Sequence, residues 1–587
     1  MTLTEELSAI VGDAFAAEGF ESAYGAVRAS DRPDLAQFQC NGALAAGKAA
    51  KQNPRALGET VAARLKDNPA FAAVSVAGPG FINLDLADDL LDARLDALAA
   101  DDRLGGWKTA SPERIILDYG GPNVAKPLHV GHLRAAIIGE SLKRLFRFAG
   151  DDVVADVHFG DWGLPMGQLI AELKRERPDL VYFDADFKGP YPDAPAVSLV
   201  DLERLYPKAA AACKTDPARA EEARLATAEL QDGRPGYLAL WRGFVAVSRA
   251  AIEREYADLG VSFDLWKGES DAAPLIDEMA GDLRARGISE ESDGAVVVCV
   301  ARDSDKKEIP PLILFKRDGS VLYGTTDLAT IVDRVRTNAP DRIIYVVDQR
   351  QALHFEQVFR AADRAGIFAA DRLEHIGFGT MNGKDGKPFK TREGGALKLR
   401  DLIDMADARA RERLAESGLA QGYGPEETAD VARKVGVAAL KFADLSNLRT
   451  TDYVFDLDRF TAFEGRTGPY LLYACVRARS VLNKAREAGA GEPGPVKIGV
   501  EEERNLALVL LGFGEAVREA HGRRQPHIVC EHAFALAQTF SKFYAVRRIA
   551  DAPDPATRAS RLSLTAAVAG QLELALDLLG IETPARM

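Results

Sequence analysis

The stretch "DYGGPNVAKPLHVGHLR", residues 118–134, gives the strongest indication of the fold. It follows the apolar run "RIIL", which predicts a buried strand, and it leads into "AAIIGESLKRLFRFAG", whose apolar spacing predicts a helix ending at Gly150. A second strand-like run, "DVVADVHFGDWG", comes directly afterwards. This order of strand, helix and strand predicts a βαβ unit and therefore a parallel, doubly wound sheet.

Two histidines, His129 and His132, lie three residues apart near the predicted start of that helix. The first turn of a helix has unpaired N–H groups and the positive end of the dipole, so a nucleotide phosphate is the expected ligand. Gly131 has no side chain and would let an adenine ring approach the backbone. A metal pair or two structural histidines are the alternatives, although no third histidine or cysteine stands at ligand spacing.

Composition limits the class of protein. A chain of 587 residues is expected to hold about three to five domains. No apolar run reaches the ~18 residues of a membrane helix, and the five scattered cysteines suggest neither disulfides nor a zinc ribbon, so we expect a cytoplasmic protein without a membrane partner. The net charge of −14 argues against nucleic acid, but residues 466–486 and 523–548 are locally basic. Those two segments are either solvated helix faces or nucleic-acid contacts.

Changes in sequence pattern along the chain predict a multidomain α/β protein. The N-terminal region mixes helical periodicity with one strand-like segment, "VSVAGPGFINLDLAD", and the C-terminal region is helical throughout. A charged helical stretch interrupts the α/β region and is interpreted as an insertion. The predicted domains are an α+β domain at 1–108, an α/β domain at 109–400 with an insertion at about 171–295, a connecting helical segment at 401–429 and a helical domain at 430–587.

The opening stretch resembles the HIGH-type signature of class I aminoacyl-tRNA synthetases, and its "PNVAK" is similar to the form found in arginyl-tRNA synthetases. Further blocks resemble that family in the same order, namely "FGDWG", "LYGTTDLA", "YVVDQRQALHF", "GKPFKTREGG", "GRTGPYLLYA" and "LGIETPARM". The resemblance covers essentially the whole chain. It implies an N-terminal domain that touches the tRNA D-loop, a Rossmann-like class I catalytic domain and an all-α anticodon-binding bundle.

The resemblance also implies an activity and its partners. The activity is the ATP-dependent formation of arginyl-adenylate from L-arginine, followed by transfer to the 3′-terminal adenosine of tRNA(Arg), by a monomeric enzyme. Mg²⁺ would be held mainly by ATP and water, so no acidic metal cage is expected. In "KPFKTREG" either Lys387 and Lys390 match the lysines of the family's KMSKS motif, or the match shifts by one step through Thr391 and Arg392. Lys126 would supply the charge that a degenerate motif lacks.

The residues carried over from the family fall into four groups. The catalytic residues are Lys126, His129, His132 and Lys390; the ATP-binding residues are His129, Gly131, His132, Lys387 and Lys390; the arginine-binding residues are Asp118, Asn123, Tyr323, Asp327 and Gln351; the tRNA-binding residues are Phe81, Asn83, Tyr470, Tyr473, Arg477 and Met587.

Simpler interpretations compete with several of these assignments. Asp327 follows "TT" before an apolar run and is a good helix cap by sequence, Phe81 is equally a core aromatic, and Lys387 is equally a solvated loop charge. For the whole chain, a nucleotidylyltransferase or a non-catalytic tRNA-binding relative is the alternative function. The first would not need the long helical C-terminal region, and the second would not need the histidines and lysine of the signature.

Overall fold

A computed structural model describes residues 2–32, 34–317, 319–387 and 397–587 of the chain. The chain divides into two compact units. One unit contains the N-terminal part as far as residue 110 together with 410–446 and 458–587, and the other contains 111–409 and 447–457. Within the described residues, no helix combines the length and the apolar character required to cross a membrane.

The N-terminal part is a four-stranded antiparallel sheet with helices. Its elements are α1 (Leu3–Ala17), β1 (Val27–Ala29), β2 (Phe38–Cys40), α2 (Gly42–Ala50), α3 (Pro54–Leu65), β3 (Phe71–Ala77), β4 (Phe81–Leu86) and α4 (Asp88–Ala99). The strand order is β1-β2-β4-β3. The expectation of one strand in "VSVAGPGFINLDLAD" was wrong, because Gly78 and Gly80 take positive φ values of 53° and 135° and turn the chain into a hairpin.

The βαβ unit is present in the second unit. It consists of β5 (Arg114–Tyr119), α5 (Val130–Ala149) and β6 (Asp152–Asp156), with β5 and β6 parallel. Two later strands complete a parallel sheet of order β11-β10-β5-β6. The predicted parallel α/β architecture is therefore confirmed.

The stretch interpreted as an insertion is built mainly from helices. It contains α6 (Leu164–Glu176), α7 (Leu199–Thr215), α8 (Pro217–Gln231), α9 (Pro235–Asp258), α10 (Glu269–Ala272) and α11 (Ile276–Ala285). Helices α6 to α9 share a core that includes Leu169, Leu202 and Leu240 and also takes in Val124 and Ala125 of the turn after β5. This helical block supplies residues that face the site described below.

The rest of the second unit returns to strands and helices. Its elements are β7 (Ser289–Ser292), β8 (Ala295–Val298), β9 (Leu312–Phe315), α12 (Tyr323–Asn338), β10 (Arg342–Asp348), α13 (Ala352–Arg364), β11 (Leu373–Phe378) and β12 (Met381–Asn382). Strands β7 to β9 form a small antiparallel sheet. The short strand β12 pairs in parallel with β13 (Tyr453–Val454).

The C-terminal part is helical. Two helices precede β13, namely α14 (Leu399–Ser417) and α15 (Pro425–Leu445). The helices after β13 are α16 (Leu457–Phe460), α17 (Gly468–Glu487), α18 (Glu501–Leu511), α19 (Phe513–Arg523), α20 (His527–Val546) and α21 (Pro555–Leu578). Short 3₁₀ turns occur at Ser22–Gly25, Val181–Phe183, Ala273–Leu275, Gln349–Gln351 and Ala370–Arg372. The N-terminal part packs on these C-terminal helices: Lys497 Nζ lies 2.9 Å from Asp92 Oδ2, and Thr4 Oγ1 donates to Glu515 Oε2 at 2.7 Å.

Candidate active site

The site begins where β5 ends, in the turn that carries the chain into α5. Gly120 has a φ of 74°, and a side chain there would also strike the hydroxyl of Tyr256. Ala125 is left-handed as well, with a φ of 65°, and its N–H donates to Ser248 Oγ on α9 at 3.1 Å. This constrained turn fixes the position of the two histidines at the carboxyl end of the sheet, where α/β folds bind ligands.

His129 and His132 form a reciprocal cap on α5. Nδ1 of His129 accepts from the N–H of Gly131 at 3.0 Å, and Nδ1 of His132 accepts from the N–H of His129 at 3.1 Å. The two rings lie 4.0 Å apart between centroids. Since Nδ1 of each ring is an acceptor, a neutral imidazole in this arrangement carries its proton on Nε2.

Both imidazoles are neutral near pH 7. Burial lowers the pKa of His132 to about 3, with His129 and Lys126 adding to the shift. Burial also lowers the pKa of His129, and the charge of Lys126 contributes again. The site therefore presents two imidazole Nε2–H donors near the amino group of Lys126. That combination suits the oxygen atoms of a polyphosphate.

The start of α5 differs from expectation in one respect. Its backbone N–H groups are not free to bind an anion, because Val130 donates to Leu397 O at 3.0 Å, Gly131 donates to His129 and His132 donates to His129 O at 2.8 Å. The expectation that unpaired N–H groups hold the anion here was wrong. The donors that remain are the imidazole Nε2–H groups and Lys126.

A metal site gains no support from this geometry. The Nδ1 lone pairs of both histidines are already used by N–H groups, which leaves one ligand atom on each ring. Among the residues that the structure describes, no group of three or more His, Cys, Asp or Glu side chains is arranged to hold a metal ion.

Gly131 has a local reason to be glycine. A Cβ at this position would come within 2.7 Å of Cε1 and 2.9 Å of Nδ1 of His129. Any larger residue would displace the imidazole from its capping position. The exposed backbone here is also open to a flat ring, so the prediction that adenine lies over Gly131 stays compatible with the geometry.

The predicted lysines have different outcomes. Nζ of Lys126 lies 5.0 Å from the ring centroid of Tyr206, on helix α7 of the insertion. Lys387 is exposed, and its backbone N–H donates to Asp385. Lys390, together with Thr391 and Arg392 of the alternative match, lies outside the described residues, so its assignment stays a prediction.

The segment that begins at Leu397 is hydrogen-bonded to the histidine stretch. The N–H of Leu399 donates to Leu128 O at 2.9 Å, and Lys398 forms a bridge with His129 through the backbone. The side chain of Lys398 pairs with Glu203 of α7 at 2.7 Å. The position of the two imidazoles therefore depends on this later segment and, through it, on the insertion.

A second group of side chains forms an acidic cluster near the start of α12. Asp327 is the fifth residue of that helix, and Leu322 occupies the capping position. The alternative interpretation of Asp327 as a helix cap is therefore wrong. Its Oδ2 lies 2.5 Å from Nε2 of His354 on α13, and both side chains are about a quarter exposed, at 26% and 27%.

Glu269, which the sequence did not indicate, belongs to the same cluster. Burial, together with the nearby carboxylates of Asp161 and Asp327, raises the pKa of Glu269 to about 8. Asp161 itself is buried and accepts from the N–H and hydroxyl of Ser270. The carboxyl group of Glu269 therefore interacts with those of Asp161 and Asp327, and Glu269 keeps its proton near pH 7. A bound cation would stabilise such a cluster.

The remaining predicted arginine ligands lie around these two groups. Tyr323 is the first residue of α12 and is 71% exposed. Gln351 is exposed at the turn after β10. Asn123 is half-buried, and Gly160 opposite it has no room for a Cβ, which would lie 2.2 Å from Asn123 Oδ1.

Asp118 is already engaged by an internal guanidinium. Nη2 of Arg334 donates to Asp118 Oδ2 at 2.5 Å and to Asp156 Oδ2 at 2.8 Å. Burial works against the charge on Arg334, but the neighbouring carboxylates raise its pKa well above the ordinary value. The carboxyl group of Asp118 therefore already has a cationic partner inside the protein. Its assignment as an arginine ligand stays a prediction.

The residues predicted to contact tRNA lie in the other unit. Phe81 is half-buried at the start of β4, outside the buried core, so the core-aromatic alternative is not favoured. Asn83 is only 5% exposed, and its Oδ1 accepts from Gln39 Nε2 at 3.0 Å on the neighbouring strand. Base contact by Asn83 would require that pair to open.

The C-terminal candidates form an aromatic and cationic surface. The guanidinium of Arg477 lies 4.4 Å from the ring centroid of Tyr473 and 5.7 Å from that of Tyr544. Tyr470 packs edge-on against Phe534. Stacked aromatic rings with arginine are the usual means of holding unpaired bases.

The chain end is held near these helices. Arg479 donates to Pro584 O at 2.6 Å, and Arg586 forms two 2.6 Å bonds with Glu427. Met587 is half-buried. Its role in tRNA binding stays a prediction.

Three site residues were not identified from the sequence. Glu269 stands in a charged helical stretch where one more acid carries no signal, and Arg334 lies on an amphipathic helix where it resembles a solvated residue. His354 was within a quoted block, but a single histidine before an aromatic residue indicates no partner. Only the packing of α10, α12 and α13 brings these side chains to Asp118 and Asp327.

Comparison with known proteins adds an independent line of evidence. The model of class I (R) tRNA synthetase catalytic domains matches residues 94–457. The arginyl tRNA synthetase N-terminal domain model matches residues 1–86, and the DALR anticodon binding domain model matches residues 471–587.

Individual proteins agree with these family models. Arginine–tRNA ligases of Maricaulis maris and Hyphomonas neptunium are each 55% identical to this chain, with 100% of both chains covered. The crystal structure of arginyl-tRNA synthetase from Plasmodium falciparum is similar in fold, with a TM-score of 0.81, 23% identity and coverage of 100% of this chain and 99% of that one.

Proposed function

This chain belongs to the arginyl-tRNA synthetase family, and we propose that it joins L-arginine to tRNA(Arg) in two steps. ATP and arginine first give arginyl-adenylate and pyrophosphate. A ribose hydroxyl of the 3′-terminal adenosine of the tRNA then attacks the arginyl carbonyl, and AMP leaves as the ester forms. The observation that supports this best is the placement of two neutral Nε2–H donors and an acidic cluster in the α/β unit, at the carboxyl end of the sheet and the start of α12.

The chemistry requires positioning and charge neutralisation more than acid–base catalysis. The arginine carboxylate attacks the α-phosphorus, and the bond to pyrophosphate breaks. His129 and His132 would bind phosphate oxygens through Nε2–H, and Lys126 would neutralise charge that develops as pyrophosphate leaves. Mg²⁺ would enter with ATP, coordinated by its phosphates and water.

The far end of the substrate is selected by its charge. A guanidinium presents a planar fork of donors, and Asp327 together with Glu269 offers acceptors for it. Tyr323 and Gln351 border the same region with neutral oxygen atoms. Citrulline, which has the same shape and no charge, would leave these acids without a cation.

The tRNA would be held by the other unit. Phe81 of the N-terminal part and the Tyr473–Arg477–Tyr544 surface of the C-terminal helices present aromatic and cationic groups. The D-loop and the anticodon loop are the corresponding parts of the tRNA. We further propose that the protein acts as a cytoplasmic monomer.

The proposed function is tested by ATP–pyrophosphate exchange with each amino acid, with and without tRNA(Arg), followed by charging with labelled arginine. Exchange and charging that depend on arginine are expected. Nucleotide transfer to another acceptor would favour a nucleotidylyltransferase, and tRNA binding without exchange or charging would favour a non-catalytic relative.

The raised pKa of Glu269 predicts a pH-dependent affinity for arginine. Its value of about 8 means that most molecules hold Glu269 neutral at pH 7 and ionised at pH 9. The KM for arginine should therefore fall by up to about 10-fold between pH 7 and 9, because the ionised fraction rises by that factor. The KM of the Glu269→Gln variant for arginine should not show this fall. A fall that persisted in the variant would come from titration of another group, such as the substrate itself.

The raised pKa of Glu269 also predicts how the stability of the protein changes with pH. The folded protein retains a proton on Glu269 that the unfolded chain releases, so stability should fall as the pH rises from about 4.5 to about 8. Melting temperatures of wild type and Glu269→Gln across this range provide the check. Parallel curves for the two proteins would show that Glu269 does not titrate as stated.

A further inference from the structure

Arg334 is the feature of the α/β unit that the proposed chemistry leaves unused. Its side chain is 1% exposed and lies over a row of three residues on adjacent strands. Tyr345 on β10 is the register partner of Asp118 on β5, and Asp118 is the register partner of Asp156 on β6. The Arg334 guanidinium bonds both acids and lies 5.3 Å from the Tyr345 ring centroid. One residue of α12 therefore contacts three adjacent strands, β10, β5 and β6, at the same level of the sheet.

The same helix carries the acid expected to select the substrate. Asp327 and Arg334 are seven residues apart on α12, which is about two turns and about 10 Å along the axis. Arg334 is bonded to Asp118, another predicted arginine ligand. The helix that bears Asp327 is therefore bonded, through Arg334, to the second acid expected to meet substrate arginine.

We propose that Arg334 is a positioning residue for substrate arginine, which fixes the separation between Asp327 and Asp118 and thereby the length of amino acid that the site accepts. This inference rests on the proposed arginine specificity. Arg334 does not touch the substrate; it acts through the helix that bears Asp327 and through the carboxylate of Asp118.

The charges of the cluster favour this role over simple stabilisation. Asp118 and Asp156 are 8% and 1% exposed, and the two carboxyl groups share one guanidinium in a buried place. Buried ion clusters are often no more stable than apolar packing of the same volume. What such a cluster does provide is a defined geometry, since the guanidinium must meet both carboxylates at hydrogen-bonding distance.

The test uses variants that keep the net charge of the cluster. The double variant Arg334→Met with Asp156→Asn removes the cation together with one of its two carboxyl partners, so the formal charge of the cluster is unchanged. Arg334→Lys keeps a cation, but its Nζ ends one atom short of the Nη2 from which Arg334 bonds both acids. The matched control is Arg342→Met with Glu113→Gln, which removes a two-bond pair at the opposite end of the same sheet.

Arginine-dependent ATP–pyrophosphate exchange is measured first with the wild type. If the wild type does not activate arginine, the proposed function fails, whatever the variants show. For the double variant we expect the KM for arginine to rise about 10-fold or more, with the KM for ATP within about twofold. The preference for arginine over homoarginine, which is one methylene longer, should shrink in the same variant. Arg334→Lys should give a smaller change in the same direction.

Three outcomes would overturn the proposal. They are an unchanged KM for arginine, an equal rise of the KM for arginine and for ATP, and an effect that the control variant reproduces. If the double variant does not fold, as judged by its melting curve, Arg334→Lys carries the test. An unchanged homoarginine preference and KM for arginine in that variant would then refute the role.

Discussion

Replacing His132 with alanine should slow arginyl-adenylate formation by about 10²-fold or more, as the loss of one preorganised donor typically does. His132 has a neutral ring whose Nδ1 is occupied by the N–H of His129, so its contribution to phosphate binding comes from Nε2–H alone. Pre-steady-state formation of the adenylate, with ATP and arginine saturating, measures this step directly.

Two conservative variants separate phosphate binding from helix capping. The side-chain oxygen of asparagine can replace Nδ1 as the acceptor for the His129 N–H, but asparagine has no donor at the Nε2 position. Glutamine reaches that position with its amide N–H and gives up the cap. His132→Asn should therefore melt like the wild type and remain slow, and His132→Gln should recover a large part of the rate. The reverse ranking would assign His132 to the helix rather than to the nucleotide.

The residues around the histidines illustrate what a sequence can and cannot predict. The βαβ unit was predictable because apolar periodicity and the glycine at 150 are local properties of the chain. The site of the histidines was predictable for the same reason. Their mode of action was not, because the N–H of Val130 is bonded by Leu397, a residue more than 260 positions later.

The acidic cluster shows the same limit more strongly. Asp327 was identified because the stretch around it, "LYGTTDLA", resembles a block of the family. Nothing near Asp327 in the sequence indicated that His354 or Glu269 would be its neighbours. Glu269 gains its raised pKa only because folding removes it from water beside Asp161 and Asp327. In the hairpin of β3 and β4, by contrast, the error was local: two glycines with positive φ made a turn inside what had been interpreted as one strand.

Replacing Asp327 with alanine should weaken binding of the substrate guanidinium by roughly 3 to 5 kcal/mol, because the cation is left in a partly desolvated site without its partner. That free energy corresponds to a rise of the KM for arginine on the order of 10²-fold or more. The KM for ATP should barely change. Asp327 is the fifth residue of α12 and does not cap it, so the melting temperature should stay close to that of the wild type.

The contact between Asp327 and His354 gives this prediction its sharpest control. If Asp327 serves only to hold α13 through His354, then Asp327→Ala and His354→Ala remove the same bond and should behave alike. If Asp327 binds the guanidinium, only Asp327→Ala loses the acceptor, and His354→Ala should change the KM for arginine far less. Measuring both variants at saturating ATP and tRNA, with melting curves alongside, decides between these two roles. Equal arginine KM values for the two variants would exclude Asp327 from the substrate site, and Glu269 would then be the leading acceptor for the guanidinium.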